Sequence, residues 1–425
     1  MTLIRTSILS AISTVITIFS GLIINKFIAL YIGPGGLAMI GNFQNFIQII
    51  KTLGSGAIST GVVKYTSEYS SDRQNLEKFL STSFTYILWT TLLLSIILFL
   101  FGTPITNVIF GTEKYQNIIY LMGATVGMFF FNQFLFSILN GLKQIKLYTI
   151  LSIMNSIVSL FITAVLIYKL QLLGILIAIV LNQSLTFVLS VALVLKFKIL
   201  TFKLKLFYRD SINTKRLASF YLMGIVSGIS VPVSHLILRD YIATDISMES
   251  AGYWEAMWRI STVYLLLVTT TFSVYYIPRL SELQSIKKLR QEIFHGYIMI
   301  LPIVVFSAFC IYLLKDEIVH LLFTHEFQEM KTLFFYVLLG DIVKIASWLL
   351  STLLVAKAMT KIFIWTELLF KIPFLALTIG LSNIYGLEGV ALGYFINYLL
   401  YLSVMLYIFK DLIFKAKFNF SKYTI

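Results

Sequence analysis

Twelve apolar runs, each near the roughly 20 residues that a helix needs to cross a hydrocarbon layer, divide this chain. They lie at 4–31, 36–63, 79–101, 116–141, 147–168 and 172–195, then at 217–238, 250–277, 293–314, 330–356, 361–384 and 388–409. Breakers fall between them. Gly33-Pro34-Gly35-Gly36 separates the first two runs, and Gly102-Thr103-Pro104 ends the third. A backbone in lipid must satisfy its own polar groups, so runs of this kind predict helices. Composition agrees: 58% of the 425 residues are apolar and 12% are charged, against about 25% charged in soluble domains. That excludes a soluble enzyme, a disordered chain and a disulfide scaffold. The single cysteine, Cys310, permits no internal disulfide and no cysteine-based metal site, and reads as a small buried apolar side chain. The apolar run from Ile4 continues to Tyr31, longer than the roughly 7–15 residues of a signal-peptide core, which predicts a retained first helix.

Cytoplasmic connections carry an excess of Lys and Arg. With the N-terminus placed inside, 23 of the 33 basic residues fall on the inner side and five fall outside: Lys114, Lys169, Arg239, Lys315 and Lys331. The remaining five lie deeper within runs, beyond the first two residues of each. This split predicts both termini in the cytoplasm and accounts for the net charge of +14 as membrane topology rather than nucleic-acid binding. The basic stretch 196–216 is expected beside anionic lipid headgroups.

The two sets of six runs share landmarks at a nearly constant spacing. Ser67-Glu68 corresponds to Ser281-Glu282, and Lys143 to Lys357, at an offset of 214. Leu172-Leu173-Gly174 and Asn182 correspond to Leu387-Glu388-Gly389 and Asn397, at 215. An even number of helices per half inserts both halves the same way round. The expected architecture is therefore an all-α integral membrane protein with twelve transmembrane helices. They form two six-helix bundles, 1–200 and 216–425, joined by a basic linker at 201–215. A pseudo-two-fold along the membrane normal relates the bundles around a central polar cavity.

Eight charges fall inside runs beyond the first two residues of each: Lys26, Lys51, Arg259, Lys344 and Lys371, with Glu255, Asp341 and Glu367. At about 2.5–3.5 kcal/mol each, they would cost roughly 20–28 kcal/mol facing lipid at the helix centres, so they are expected to face protein or water. Glu255/Arg259 and Glu367/Lys371 are spaced i,i+4, and Asp341/Lys344 i,i+3, so each pair shares a helical face. Satisfied intrahelical pairs and a functional cavity are both compatible with that spacing. Lys26 and Lys51 have no acidic neighbour in sequence, and Lys26 lies close enough to Tyr31 to snorkel. Lys51 shares its run with Asn42, Gln44, Asn45 and Gln48, too polar a set for lipid. The intramembrane sum is two positive charges, which favours an anion.

Further polar groups recur: Asn132, Gln133, Asn155, Asn182, Gln183, His235 and Asn397. They serve either interhelical hydrogen bonds or an amide-lined cavity suited to hydroxyl-rich ligands. Trp254 and Trp258, at i,i+4, read as an interfacial belt or as a platform for sugar rings. The candidate substrate-binding set is thus Lys26, Asn42, Gln44, Asn45, Gln48, Lys51, Trp254, Trp258, Arg259, Lys344 and Lys371. The candidate ion-coupling carboxylates are Glu255, Asp341 and Glu367. No catalytic motif, metal-ligand spacing or phosphate loop is present, so neither an enzyme nor a cofactor is expected.

The run from Asn25 through Lys26-Phe27-Ile28-Ala29-Leu30-Tyr31-Ile32-Gly33-Pro34-Gly35-Gly36-Leu37 to Gly41-Asn42-Phe43-Gln44 carries a family likeness. So do Val62-Val63-Lys64-Tyr65, Gly252-Tyr253-Trp254, Ser273-Val274-Tyr275-Tyr276-Ile277-Pro278-Arg279-Leu280-Ser281 and Leu339-Gly340-Asp341-Ile342-Val343-Lys344. Over essentially its whole length the chain resembles the Wzx-type flippases of lipid-linked oligosaccharides, in the MOP transporter superfamily, including the O-antigen and enterobacterial common antigen translocases. The resemblance implies a bacterial inner-membrane protein. It implies a substrate built on undecaprenyl diphosphate and carrying a short oligosaccharide, moved from the cytoplasmic to the periplasmic leaflet. It also implies partners among the polymerase and chain-length proteins of the export pathway. Three other readings compete. A multidrug cation antiporter of the same superfamily should line its site with unpaired acids. A membrane polysaccharide polymerase or glycosyltransferase should carry large external loops, whereas those around 102–115 and 315–329 are short. An anchor or scaffold would not require buried charge.

Overall fold

The structure is a computed structural model that describes residues 3–196, 204–357 and 359–415. The described residues are overwhelmingly helical. They fall into two compact units, Met1–Ile32 with Met39–Leu236, and Gly33–Ala38 with Ile237–Ile425. Part of the expected linker 201–215 and the basic residues Lys417 and Lys422 lie outside the described residues. Among the described residues, eight helical stretches are long and apolar enough to cross a membrane.

The first unit begins with α1 (Leu3–Tyr31). Helix α2 (Gly33–Lys51) has a proline in its first turn, where the missing N–H costs nothing. A π-helical turn, Thr52–Gly56, joins it to α3 (Ala57–Glu68). Asp72 then starts α4 (Arg73–Leu100), accepting from the Asn75 backbone N–H at 3.1 Å. A short α5 (Gly102–Phe110) and a 3₁₀ turn, Glu113–Tyr115, precede α6 (Gln116–Gly141). The loop expected around 102–115 is therefore mostly helical.

Helix α7 (Ile145–Lys196) counts 52 residues, roughly 78 Å if straight and far more than one crossing requires. It is broken at Gln171, whose φ of 48° and ψ of −125° are not helical. The two halves fold back on each other. Asn182 donates to Ser159 at 2.8 Å, Thr186 donates to Asn155 four residues farther from the break on each helical arm, and a Cβ on Gly174 would overlap the Leu166 carbonyl. The break falls between two runs that the sequence had separated at 169–171. The amides Asn155 and Asn182 thus serve interhelical hydrogen bonds.

The division between units falls within α8 (Ser211–Asp245). Helix α9 (Met248–Thr271) starts on Ser247, which accepts from the Ser250 N–H at 3.0 Å. A second π-helical turn, Phe272–Tyr276, leads into α10 (Ile277–Glu282). Then come α11 (Ile286–Leu313) and a short α12 (Lys315–Leu322). A 3₁₀ segment, His325–Leu333, leads into α13 (Phe334–Ala356), so the loop expected at 315–329 is also largely helical. Helix α14 (Thr360–Leu369) precedes α15 (Lys371–Ile408), with α16 (Lys410–Lys415) behind it. Helix α15 repeats the hairpin. Gly386 breaks it at φ 58° and ψ −139°, and a Cβ on Gly389 would overlap the Leu381 carbonyl. Both the breaks (Gln171, Gly386) and the tight glycines (Gly174, Gly389) recur at the 215-residue offset read from the sequence.

In the second unit the core gathers on α13, where Ile345, Leu349 and Leu353 meet Leu265, Tyr276 and Met405. Large apolar side chains such as Phe161, Tyr168, Ile298 and Ile303 are exposed instead, an arrangement stable in lipid and costly in water. The chain is a multi-pass membrane protein.

Candidate functional site

The second unit contains a buried polar cluster built by α8, α9, α13 and α15. Its first part is an ion triad. Glu255 on α9 receives the Arg259 Nε one turn later at 2.8 Å on one carboxylate oxygen. On the other oxygen it receives Arg239 Nη2 from α8 at 2.5 Å. The i,i+4 pair expected from sequence is present, and a third member joins it. Arg239 requires a correction, because the sequence reading put it in an outer connection. Helix α8 runs on to Asp245, past the expected end at 238, and Arg239 is 1% exposed inside it. Burial is tolerable because both charges of each pair are hydrogen-bonded. Two guanidiniums against one carboxylate leave the triad with one net positive charge. Arg239 and Glu255 are almost fully enclosed, whereas 14% of the Arg259 side chain is open.

The second part centres on Asp341 and Lys344 of α13. Their spacing suggested a direct pair, and the structure corrects this too. Asp341 is fully buried and accepts three hydroxyls: Ser261 at 2.6 Å and Tyr264 at 2.8 Å from α9, and Tyr394 at 2.7 Å from α15. Lys344 turns instead into aromatic rings. Its Nζ lies 4.9 Å from the centre of Trp258, 5.0 Å from Trp348, 5.6 Å from Tyr398 and 5.9 Å from Tyr394. It also donates to the Tyr394 hydroxyl at 3.4 Å. Tyr394 therefore stands between the two charges, accepting from one and donating to the other. Each desolvated cation–π contact contributes up to about 2 kcal/mol, which offsets part of the cost of burying an ammonium. Trp254 is buried, with its ring edge-on to Tyr394 at 6.0 Å, and Trp258 packs edge-on to the same ring at 6.2 Å.

Close approach of the chain makes this cluster possible. The first turn of α2, which belongs to the second unit, lies against the start of α9, where a Cβ on Gly252 would overlap the Pro34 carbonyl. Gly252 thus lets the segment bearing Trp254 and Glu255 seat against the Gly33-Pro34-Gly35 turn. Glu367 and Lys371 stand apart from the cluster. They meet at 3.3 Å across the α14–α15 junction, each about a quarter exposed.

The candidates on α1 and α2 lie in the first unit. Lys26 and Lys51 are half-buried, Asn45 is half-buried, and Gln44 and Gln48 are exposed. Asn42 donates to the Ile109 carbonyl at 3.3 Å. The Lys51 ammonium lies 4.6 Å over the Phe129 ring, at the point where α2 passes into the π turn. A π turn frees carbonyls from the helical ladder. Here Leu53 accepts from Tyr221 at 2.9 Å and Gly54 from Thr90 at 3.3 Å.

Sequence reasoning missed Arg239, Ser261, Tyr264, Trp348, Tyr394 and Tyr398. A signal existed for some. Ser261 and Tyr264 continue the face begun by Trp254 and Trp258, and Trp348 and Tyr398 follow Lys344 and Tyr394 by one turn. Among the described residues, no group of three or more His, Cys, Asp or Glu could hold a metal ion.

Comparisons with known proteins fit this architecture. The lipid III flippase of Escherichia coli (strain K12) is 27% identical over 405 residues, covering 95% of this chain and 97% of that protein. The lipid III flippase of Shigella flexneri matches equally. Among solved structures, an inward-facing MATE-family multidrug resistance transporter of the MOP superfamily superposes with a TM-score of 0.75 at 15% identity, over 94% of this chain and 95% of its own. The lipid II flippase MurJ, in an inward closed conformation, gives 0.73 at 18% identity, over 97% and 90%. At those identities the two structures speak for the fold. Residues 3–284, well over half of the chain, match the family described as polysaccharide biosynthesis protein. By that match, the chain belongs to the polysaccharide biosynthesis protein family.

Proposed function

We propose that this protein moves a lipid-linked oligosaccharide across the membrane. The observation that carries the reading is the Arg239–Glu255–Arg259 triad, a net positive charge buried between α8 and α9 with Arg259 as its open member. Similarity to lipid III flippases, 27% identical over 95% of the chain, supports it. An anionic diphosphate suits Arg259 of the second unit; within the first, Lys26 and Lys51 suit an anion and the exposed amides Gln44 and Gln48 suit sugars. The headgroup cannot pass through hydrocarbon, because its charge and hydroxyls would lie there unpaired. Exposing the headgroup site to each side in turn removes that barrier while the lipid tail stays in the bilayer.

In finer detail, the substrate is undecaprenyl diphosphate bearing an O-antigen or related repeat unit. It moves from the cytoplasmic to the periplasmic leaflet of a bacterial inner membrane. Twelve crossings in two six-helix halves leave both termini in the cytoplasm, and the product passes to polymerase and chain-length proteins. Glu255, Asp341 and Glu367 are the carboxylates through which a proton or sodium gradient would act. Glu367 is the most open of them. A cation antiporter is the weaker reading, since Glu255 is already held by two arginines and Asp341 by three hydroxyls.

The test is surface glycan display in a strain lacking its own flippase, with protein levels matched. Lys51→Ala and Arg259→Ala should lower display at least about tenfold, the loss of one charged contact of roughly 1.5–3 kcal/mol, and Lys422→Ala should leave it unchanged. Wild-type display by Lys51→Ala or by Arg259→Ala would remove the residue it replaces from its proposed role.

A further inference from the structure

Lys344 is placed like a bound ligand. Four rings from three helices surround its ammonium: Trp258 of α9, Trp348 of α13, and Tyr394 and Tyr398 of α15, all with centres within 6 Å of Nζ. Aromatic cages recognise ammonium ions because the negative ring faces replace lost hydration. A lysine present only to neutralise Asp341 would sit on the carboxylate. Here Asp341 is already satisfied by Ser261, Tyr264 and Tyr394, and the Tyr394 hydroxyl separates the two charges. The rings, with the carboxylate behind them, form a complete site whose occupant happens to be attached to the chain.

We propose that Trp258, Trp348, Tyr394, Tyr398 and Asp341 form an ammonium-binding box that Lys344 fills from within, and that emptying it creates a site for small organic ammonium ions. A tethered occupant outcompetes a soluble one because its effective concentration reaches the millimolar range or above. Lys344 therefore keeps soluble organic cations out of this aromatic, acid-backed recess. The box does not depend on the flippase reading. Only its consequence does, namely that Lys344 biases the transporter toward an anionic headgroup.

The test uses the purified full-length chain in lipid nanodiscs, with methylammonium chloride as the probe and sodium chloride at equal ionic strength as reference. For Lys344→Ala, methylammonium should raise the melting temperature saturably, by about 2 °C or more over sodium. Wild type and Lys344→Met, whose boxes are filled, should not distinguish the salts. Adding Trp258→Leu to Lys344→Ala should abolish the response. Equal behaviour of Lys344→Ala in both salts would overturn the proposal, as would a response of the wild type matching that of Lys344→Ala. Should Lys344→Ala not fold, Lys344→Arg and Lys344→Met decide. An ammonium box ranks Arg above Met in melting temperature, whereas a slot for the lysine stem alone ranks Met at or above Arg. Neither measurement involves transport, so failure here and failure of the flippase reading are told apart.

Discussion

Removing one member at a time from the Arg239–Glu255–Arg259 triad gives an order of stability loss that follows from its charges. In the intact triad each carboxylate oxygen has its own guanidinium, at 2.5 Å and 2.8 Å. Glu255→Gln leaves two guanidiniums facing each other across a neutral amide. One of them, Arg239, is 98% removed from solvent at its side chain. Removing the carboxylate partner from a buried ion pair costs about 3–5 kcal/mol. Arg239→Met leaves a neutral, still hydrogen-bonded Glu255–Arg259 pair. The loss is one charged hydrogen bond, about 1.5–3 kcal/mol, reduced by the apolar contact that methionine restores. Arg259→Met should cost least, since its side chain is partly open to solvent and the remaining Arg239–Glu255 pair is the enclosed one. The assay is equilibrium unfolding in mixed micelles, with the double variant Arg239→Met/Glu255→Gln closing a cycle. It should cost less than the sum of the singles by at least about 1 kcal/mol, because residues sharing a network are coupled. Arg239→Met matching or exceeding Glu255→Gln would refute the charge reasoning.

Two further outcomes concern the backbone and the loops. Gln171 adopts a positive φ that a side chain disfavours, while Gly386 holds the corresponding place in the second hairpin. Gln171→Gly should therefore stabilise by about 1 kcal/mol and Gly386→Gln destabilise by about 1–3 kcal/mol, read in the same unfolding assay. The Asp72 carboxylate is held below its ordinary range chiefly by the Asn75 backbone N–H, then by the Asn75 side chain. A depressed folded value means the cap is fully present above the unfolded value near pH 4 and is lost as pH falls through the folded one. Amide exchange at the start of α4 should accelerate below about pH 4 in the wild type relative to Asp72→Asn, which caps without titrating.

Much of this fold is legible in the chain because lipid imposes one rule on every crossing. The two hairpins show it most clearly. Their breaks at Gln171 and Gly386 fall where apolar runs end, and the 215-residue offset marks the same glycines that the close packing requires. The site was less legible, because helical spacing says which residues share a face and not which neighbour that face meets. Glu255 and Arg259 paired as their spacing allows, at 2.8 Å one turn apart. Asp341 and Lys344 did not, because hydroxyls 80 and 77 residues away on α9 and 53 away on α15 reach the carboxylate. Arg239 read as a loop residue because a lone arginine at the end of an apolar run usually is one. Its burial depends on Glu255, 16 residues further along and beyond a turn. The π turns at Thr52–Gly56 and Phe272–Tyr276 share no residue pattern, and nothing in either segment announces them.

Purified chain in proteoliposomes shows whether this protein alone moves a defined glycolipid. With an undecaprenyl-diphosphate-linked oligosaccharide placed in one leaflet, wild-type protein should make the sugar accessible to a membrane-impermeant lectin on the other side. Arg259→Ala should slow that appearance at least about tenfold. Appearance of the sugar at the same rate in protein-free liposomes and in liposomes with the wild-type chain would contradict the flippase reading.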